Sequence, residues 1–347
     1  MVTLKEIAQR CNVSVTTVSN ILNGKPKVSE ETKKMVMDVV AELGYQPNYI
    51  AQGLRRQKTH TIGIIADDIA EFSTPKMIES IMACCEDKGY RTIVQNLRLF
   101  SRWGDDWYDK EDGYKAALDV ALNELLSIKV DGIIYVASYA RMIQGFPKDF
   151  PIPVVMAYAY LEYMPTVSVI IDDEKGGYDM TRYLLSMGHQ NIGVIGGRAD
   201  NIHTQKRLLG YKKALAEAGI GIKTNWIRCG AWDRKTGYEQ MEYLKNAGVT
   251  AVFCMADQIA GGVYDYLEEQ GLRVGEDISV VGFDNQDIAE YFRPALTTMK
   301  LPLPEIGRKS IKVLLNMLET EQEQSEKQEI YMPCRLIERG SVKRLSC

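Results

Sequence analysis

A carboxylate at the end of a buried strand is the side chain best placed to bind a small molecule in this chain. Val280-Val281-Gly282-Phe283 reads as an apolar strand, and Asp284-Asn285 follows at its carboxyl end, where open α/β sheets hold their ligands. An ionised Asp284 accepts two hydrogen bonds, which suits the vicinal hydroxyls of a sugar. An aspartate that only caps the following helix has the same position in sequence, so both readings stand. Phe72 and Ser73 follow an earlier strand and would form the facing lip of such a cleft. Side chains of another kind stand near the N-terminus. Val15, Thr16, Thr17 and Asn20 are short, uncharged and outward-facing on a brief helix, groups suited to touching base edges in DNA. Covalent chemistry finds little support. There is no G-x-G-x-x-G, Gly24-Lys25 runs into Pro26, and Gly193-x-x-Gly196-Gly197 lacks the phosphate-cradle spacing. No G-x-S-x-G elbow occurs. The 7 cysteines and 3 histidines are scattered without a C-x-x-C pair, so neither a disulfide framework nor a metal site is indicated. No cofactor is expected, and an enzyme is the weaker class.

Two sets of elements must position these groups. Leu4, Ile7, Ala8 and Cys11 recur at helical spacing, and Ser14 caps a second helix, Val15 to Leu22, with Val18, Ile21 and Leu22 inward. Asn23-Gly24 supplies a left-handed stop. Ser29-Glu30-Glu31-Thr32 opens a third helix through Leu43. The arrangement fits a helix-turn-helix whose second helix enters the major groove, or a plain amphipathic hairpin. Residues 1–60 hold nine Lys or Arg against five Asp or Glu, a surplus of four; the whole chain is at -4, so the remainder carries -8. A basic head on an acidic body suits phosphate contact. Asn48 to Arg56 can form one or two helical turns, weakened by Gly53 by about 1 kcal/mol. From Thr61 onward strands and helices alternate through Phe283, implying two successive doubly wound parallel sheets with a ligand cleft between them.

Thr3-Leu4-Lys5-Glu6-Ile7-Ala8, Val13-Ser14, Thr17-Val18-Ser19, Leu22-Asn23-Gly24 and Glu42-Leu43-Gly44-Tyr45-Gln46-Pro47-Asn48 resemble the opening of a LacI/GalR-family transcription regulator. The similarity runs on through Ala51, Leu54-Arg55 and Thr61-Ile62-Gly63-Ile64-Ile65. The fold it implies is a small all-α helix-turn-helix head followed by α/β, with two doubly wound parallel-sheet lobes of periplasmic-binding-protein type. The implied DNA contacts are Thr3, Ser14, Val15, Thr16, Thr17, Asn20, Asn23 and Lys27 in the head. Asn48, Ala51, Leu54 and Arg55 would follow in a hinge helix, where Leu54 wedges between base pairs in the minor groove. For the effector, Arg207 matches the family's ligand-contacting arginine and Trp232 an aromatic position over the ligand. Asn201 and Asp257 also match effector positions. Ala256 replaces an asparagine common in the family, and Asn201 stands where purine-binding relatives place arginine, which argues against a nucleobase.

The resemblance thus implies a regulator, most simply a repressor, that binds a palindromic double-stranded DNA operator as a homodimer or tetramer under the control of a sugar-like effector. The alternative is a cytoplasmic sugar-binding protein or sugar-active enzyme without a regulatory role. The expected division is 1–46 for the DNA-binding head, 47–58 for the hinge and 59–347 for the effector-binding and dimerisation domain. Its first lobe would span about 59–162 and 297–320, its second about 163–296 and 326–347, with crossings near Tyr163, Thr297 and 319–327. No apolar run reaches membrane-spanning length, and Lys5, Glu6 and Arg10 interrupt the N-terminus in a way unlike a signal peptide, so a cytoplasmic protein is expected. Leu97 to Gly113 is long for its kind of connection and holds Phe100, Trp103, Trp107 and Tyr108 among five acids. Its aromatics point to either the cleft mouth or a dimer partner, and its acids favour the partner.

Overall fold

The computed structural model describes residues 2–22, 28–45, 58–104, 111–161, 163–320 and 326–345. It divides into two compact units, Met1–Thr59 and His60–Cys347. Among its described residues the first contains three helices, α1 (Leu4–Arg10), α2 (Val15–Leu22) and α3 (Glu30–Glu42). A capping box starts α1: the Glu6 amide donates to Thr3 Oγ1 at 3.3 Å and the Thr3 amide to Glu6 Oε2 at 2.7 Å. Asn12 takes the left-handed turn between α1 and α2 at φ 50°, a conformation asparagine tolerates better than most residues. Ser14 then accepts the Thr17 amide at 3.0 Å. Ile7, Ala8, Cys11, Val18, Ile21 and Val36 close a small core. Arg10 reaches Glu42 at 2.6 Å on its surface.

The second unit carries two six-stranded sheets. The first contains β1 (Thr61–Ala66), β2 (Arg91–Asn96), β3 (Gly132–Val136), β5 (Val154–Ala157), β7 (Val167–Ile171) and β13 (Gln328–Met332). They lie in the order β13-β7-β5-β3-β1-β2, all parallel. The second contains β8 (Ile192–Gly196), β9 (Ile227–Cys229), β10 (Ala251–Cys254), β11 (Ser279–Asp284), β12 (Thr297–Lys300) and β14 (Arg335–Ile337). Its order is β14-β12-β11-β10-β8-β9, with β14 antiparallel. A short pair, β4 (Met142–Ile143) with β6 (Tyr160–Leu161), stands apart. Every residue of β1, β3, β5, β7, β8 and β10 is buried, as parallel strands covered on both faces require. The helices of the first lobe are α4 (Thr74–Asp87), α5 (Leu99–Trp103), α6 (Glu111–Ile128) and α12 (Leu303–Thr320). Those of the second are α7 (Asp173–Ser186), α8 (Ile202–Glu217), α9 (Arg234–Asn246), α10 (Asp257–Glu269) and the short α11 (Ile288–Tyr291).

The chain passes between lobes three times, and each passage lies one strand later than the sequence suggests. β7 pairs with β5 and β13, so the first crossing is at Asp172 and not near Tyr163. β12 pairs with β11, while α12 packs on α4 and the first sheet, so the second crossing follows Lys300 and not Thr297. β13 belongs to the first sheet and β14 to the second, so the third lies between Met332 and Arg335 rather than in 319–327. Apolar periodicity identifies a strand but carries no information about the sheet that supplies its hydrogen bonds.

Candidate effector cleft and DNA-reading head

The cleft between the two sheets encloses about 410 Å³, within the range of small-molecule sites. Its second-lobe wall is built on the close approach of α7 to α8. A Cβ on Gly177 would lie 2.3 Å from the Arg207 carbonyl oxygen, and one on Gly210 would lie 2.0 Å from that of Glu174. Only glycines allow the helices to meet there. The approach brings Asp173, at the start of α7, against His203 and Arg207 on α8. Asp173 accepts from Arg207 Nε at 2.8 Å and from His203 Nδ1 at 2.7 Å. Burial alone would raise the Asp173 carboxyl; His203 and Arg207 outweigh it and hold the pKa below the ordinary carboxylate range. Arg207 is 2% exposed, donates to the Met255 carbonyl at 2.5 Å and lies 3.7 Å from the Phe283 ring centroid. Trp232 packs 5.8 Å from the same guanidinium.

Asp284 ends β11 at φ 108°, 3.9 Å from Arg207. Burial pushes its pKa well above the ordinary value, Arg207 opposes that rise, and Asp257 adds to it. Behind it Asp257 accepts Thr298 Oγ1 at 2.6 Å and the Gln286 amide at 2.7 Å. Burial pushes Asp257 up to about 7. The first-lobe wall offers Asp67, Asp68, Glu71, Phe72, Leu99, Phe100, Ser138, Tyr139 and Tyr158.

Five of the seven effector residues expected from sequence line this cleft: Phe72, Asn201, Arg207, Trp232 and Asp284. Asn201 spends its side-chain oxygen on the His203 amide at 2.9 Å, so its amide nitrogen is the group left to donate. Two are not lining residues. Asp257 is fully buried and holds the 284–286 turn in place through Gln286. Ser73 is also buried, and its hydroxyl donates to the Ser138 carbonyl at 2.5 Å. Sequence reasoning passed over Asp173, which opens a helix two residues after a strand ends at Ile171, and over His203, whose partners are remote in sequence. In the loop after β2, Leu99 and Phe100 line the cleft, one of its two expected destinations, and Trp103 packs on the first-lobe core; Trp107 and Tyr108 lie outside the described residues.

In the head, Val15 is 40% exposed, Thr16 is exposed and Asn20 is half-buried. The Ser14 and Thr17 hydroxyls bond each other at 2.8 Å, and Thr3 is engaged in its capping box. Asn23, Lys27, Asn48, Ala51, Leu54 and Arg55, and with them the hinge-helix expectation, lie outside the described residues. Among the described residues no group of three or more His, Cys, Asp or Glu forms a metal cluster, and no helix is long and apolar enough to cross a membrane.

Residues 3–48 match the profile of bacterial regulatory proteins of the lacI family, and residues 181–342 match a periplasmic binding protein-like domain. The HTH-type transcriptional repressor PurR of Klebsiella pneumoniae subsp. pneumoniae is 35% identical over 99% of this chain and 97% of its own length. The chain belongs to the LacI family. A repressor of the same name from Salmonella paratyphi A is also 35% identical over the same shares. Among solved structures, the lac repressor dimer bound to operator and the anti-inducer ONPF is 27% identical, with a TM-score of 0.78 and 99% of both chains covered. A LacI-family regulator from Enterococcus faecium with bound ribose is 27% identical, with a TM-score of 0.60 over 82% of this chain and 100% of that one. This LacI-family member is therefore a DNA-binding transcriptional repressor and not an enzyme, with the family's helical head and two parallel-sheet lobes.

Proposed function

We propose that this repressor is controlled by a neutral, hydroxyl-rich small molecule, a sugar or glycoside, held in the cleft between its lobes. The observation that carries the reading is the charge of the walls. Arg207 is the single Lys or Arg among the described lining residues, and Asp173 and the Met255 carbonyl already occupy its Nε and one terminal nitrogen. Asp68 and Glu71 line the same cleft, while Asp67 is paired with Arg141 at 2.7 Å and burial favours the protonated form of Asp284. A phosphorylated or carboxylated ligand would meet this acidic wall with little positive charge to receive it. A polyol supplies the hydroxyl donors that such carboxylates accept. Phe72, Phe100 and Trp232 offer flat faces to the apolar side of a sugar ring. The ribose bound to the regulator from Enterococcus faecium supports the same class.

The proposal extends to the assembly. Two copies would bind a palindromic operator, as the dimeric lac repressor does, with Val15, Thr16, Thr17 and Asn20 on base edges and Leu54 wedging the centre. The deciding experiment is a thermal-shift and calorimetric screen of the full chain with sugars, glycosides, sugar phosphates and nucleobases, followed by operator titration with each binder. A neutral sugar that raises the melting temperature and changes operator affinity supports the proposal. A nucleobase or sugar phosphate as the sole binder overturns it.

A further inference from the structure

His203 lines the cleft and also bridges the two lobes. Its Nδ1 side faces Asp173 within its own lobe, but its Nε2 accepts the Ala140 backbone N–H, 3.0 Å away on the opposite lobe. An Nε2 that accepts cannot carry the proton, so the imidazole holds it on Nδ1, aimed at the carboxylate. The side chain is 4% exposed, and the Tyr158 ring of the first lobe packs on it with centroids 5.2 Å apart.

The loop that presents the Ala140 N–H is held on several sides. Ser138 donates its amide to Asp67 Oδ2 at 3.1 Å and receives the Ser73 hydroxyl on its carbonyl. Arg141 anchors the far end on Asp67 Oδ1 at 2.7 Å, and the Tyr135 hydroxyl bonds that same oxygen. A segment pinned at both ends offers its N–H in a fixed direction. On the other side, the two oxygens of Asp173 are divided between His203 and Arg207. One buried carboxylate thus orients both the contact between lobes and the guanidinium in the effector cleft.

We propose that His203 is a clasp that holds the two lobes closed, and that through Asp173 it is a positioning residue for Arg207. The second half rests on the effector reading above; the clasp itself does not. Opening the lobes separates Ala140 from Nε2, frees the imidazole to rotate and loosens the carboxylate that fixes Arg207. Closure and the effector contact are then coupled through a chain of three side chains.

The test uses the full chain without added ligand. Nitrogen-15 spectra of labelled histidine should show one imidazole protonated at Nδ1 and bare at Nε2, and the Ala140 amide should exchange at least about tenfold more slowly than an unstructured amide. His203→Asn keeps a group at the Nδ1 position but cannot reach Ala140, and should lose that protection. His203→Gln places an oxygen near the Nε2 position and should keep it. The Ser138 amide, bonded to Asp67, should stay protected throughout and reports folding. An unprotected Ala140 amide in the unaltered protein, or equal protection in the Asn and Gln variants, overturns the clasp. Because both readouts precede any ligand, the clasp can stand even if no sugar binds. His203→Gln gives up the group that faces Asp173, so with a sugar that does bind its affinity should fall although the Ala140 amide stays protected; an affinity equal to that of the unaltered protein would overturn the coupling to Arg207.

Discussion

The two buried carboxylates behind the cleft make effector binding sensitive to pH, and the sign follows from their surroundings. Asp284 is raised by burial first and by Asp257 in addition, with Arg207 opposing; Asp257 is raised by burial to about 7. Before an effector arrives, Asp284 therefore holds its proton into a range where an ordinary aspartate has lost it. Hydroxyl donors of a sugar favour the ionised form, so binding expels that proton and affinity rises with pH. One released proton gives at most about a tenfold gain per pH unit while the carboxyl is still mostly protonated. Asp284→Asn removes the titration and one acceptor, and asparagine tolerates positive φ better than alanine. At high pH the variant should bind the effector about 1.5–3 kcal/mol more weakly, the worth of hydrogen bonds to a charged group, or roughly 10- to 150-fold. Its affinity should also be nearly flat with pH. Folding alone runs the other way. Both carboxyls bind protons more tightly folded than unfolded, so their stability contribution is fully present below about pH 4 and is lost as pH climbs through the raised folded values. Calorimetry in two buffers of different ionisation enthalpy, from about pH 5.5 to 8, counts the released proton directly. A parent affinity independent of pH, with binding heats that do not depend on buffer, would refute the reasoning.

Three further outcomes follow from particular contacts. Ser14→Ala removes the oxygen that accepts the Thr17 amide and should destabilise the head by about 0.5–2 kcal/mol; circular dichroism melts of the full chain should show an earlier head transition with the body unchanged. Gly177→Ala would drive a methyl to within 2.3 Å of the Arg207 carbonyl oxygen, so α7 and α8 should separate. The body's melting temperature and its effector affinity should then fall together, and loss of neither would show that the helices have slack. Phe100→Ala removes a 44% exposed cleft aromatic and should weaken sugar binding while leaving the sedimentation profile unchanged; a dissociated dimer with intact sugar affinity would return the loop to the subunit interface.

The head was largely legible in the chain itself. Ser14 before Val15-Thr-Thr-Val18, and Thr3 three residues before Glu6, are local signals, since a cap and the amide it serves lie within one turn. α2 accordingly occupies the span its apolar spacing predicts, Val15–Leu22. The alternation that marks two parallel sheets is also local, and Asp284 could be picked out because a strand's end is visible in sequence. Other features required three dimensions. The lobe boundaries fell one strand late because hydrogen bonding between β7 and β13, about 160 residues apart, decides which sheet a strand joins. Asp257 matched an effector position, yet the tertiary structure buries it on Thr298 and Gln286. Ser73 likewise turned from the ligand to the Ser138 carbonyl. His203 illustrates the division most sharply. Nothing near it in sequence marks it, because its partners, Asp173 and Ala140, lie 30 and 63 residues away. Caps and periodicity are set by neighbours along the chain; the partners of a buried polar group are set by which elements pack together, and packing is a property of the whole fold.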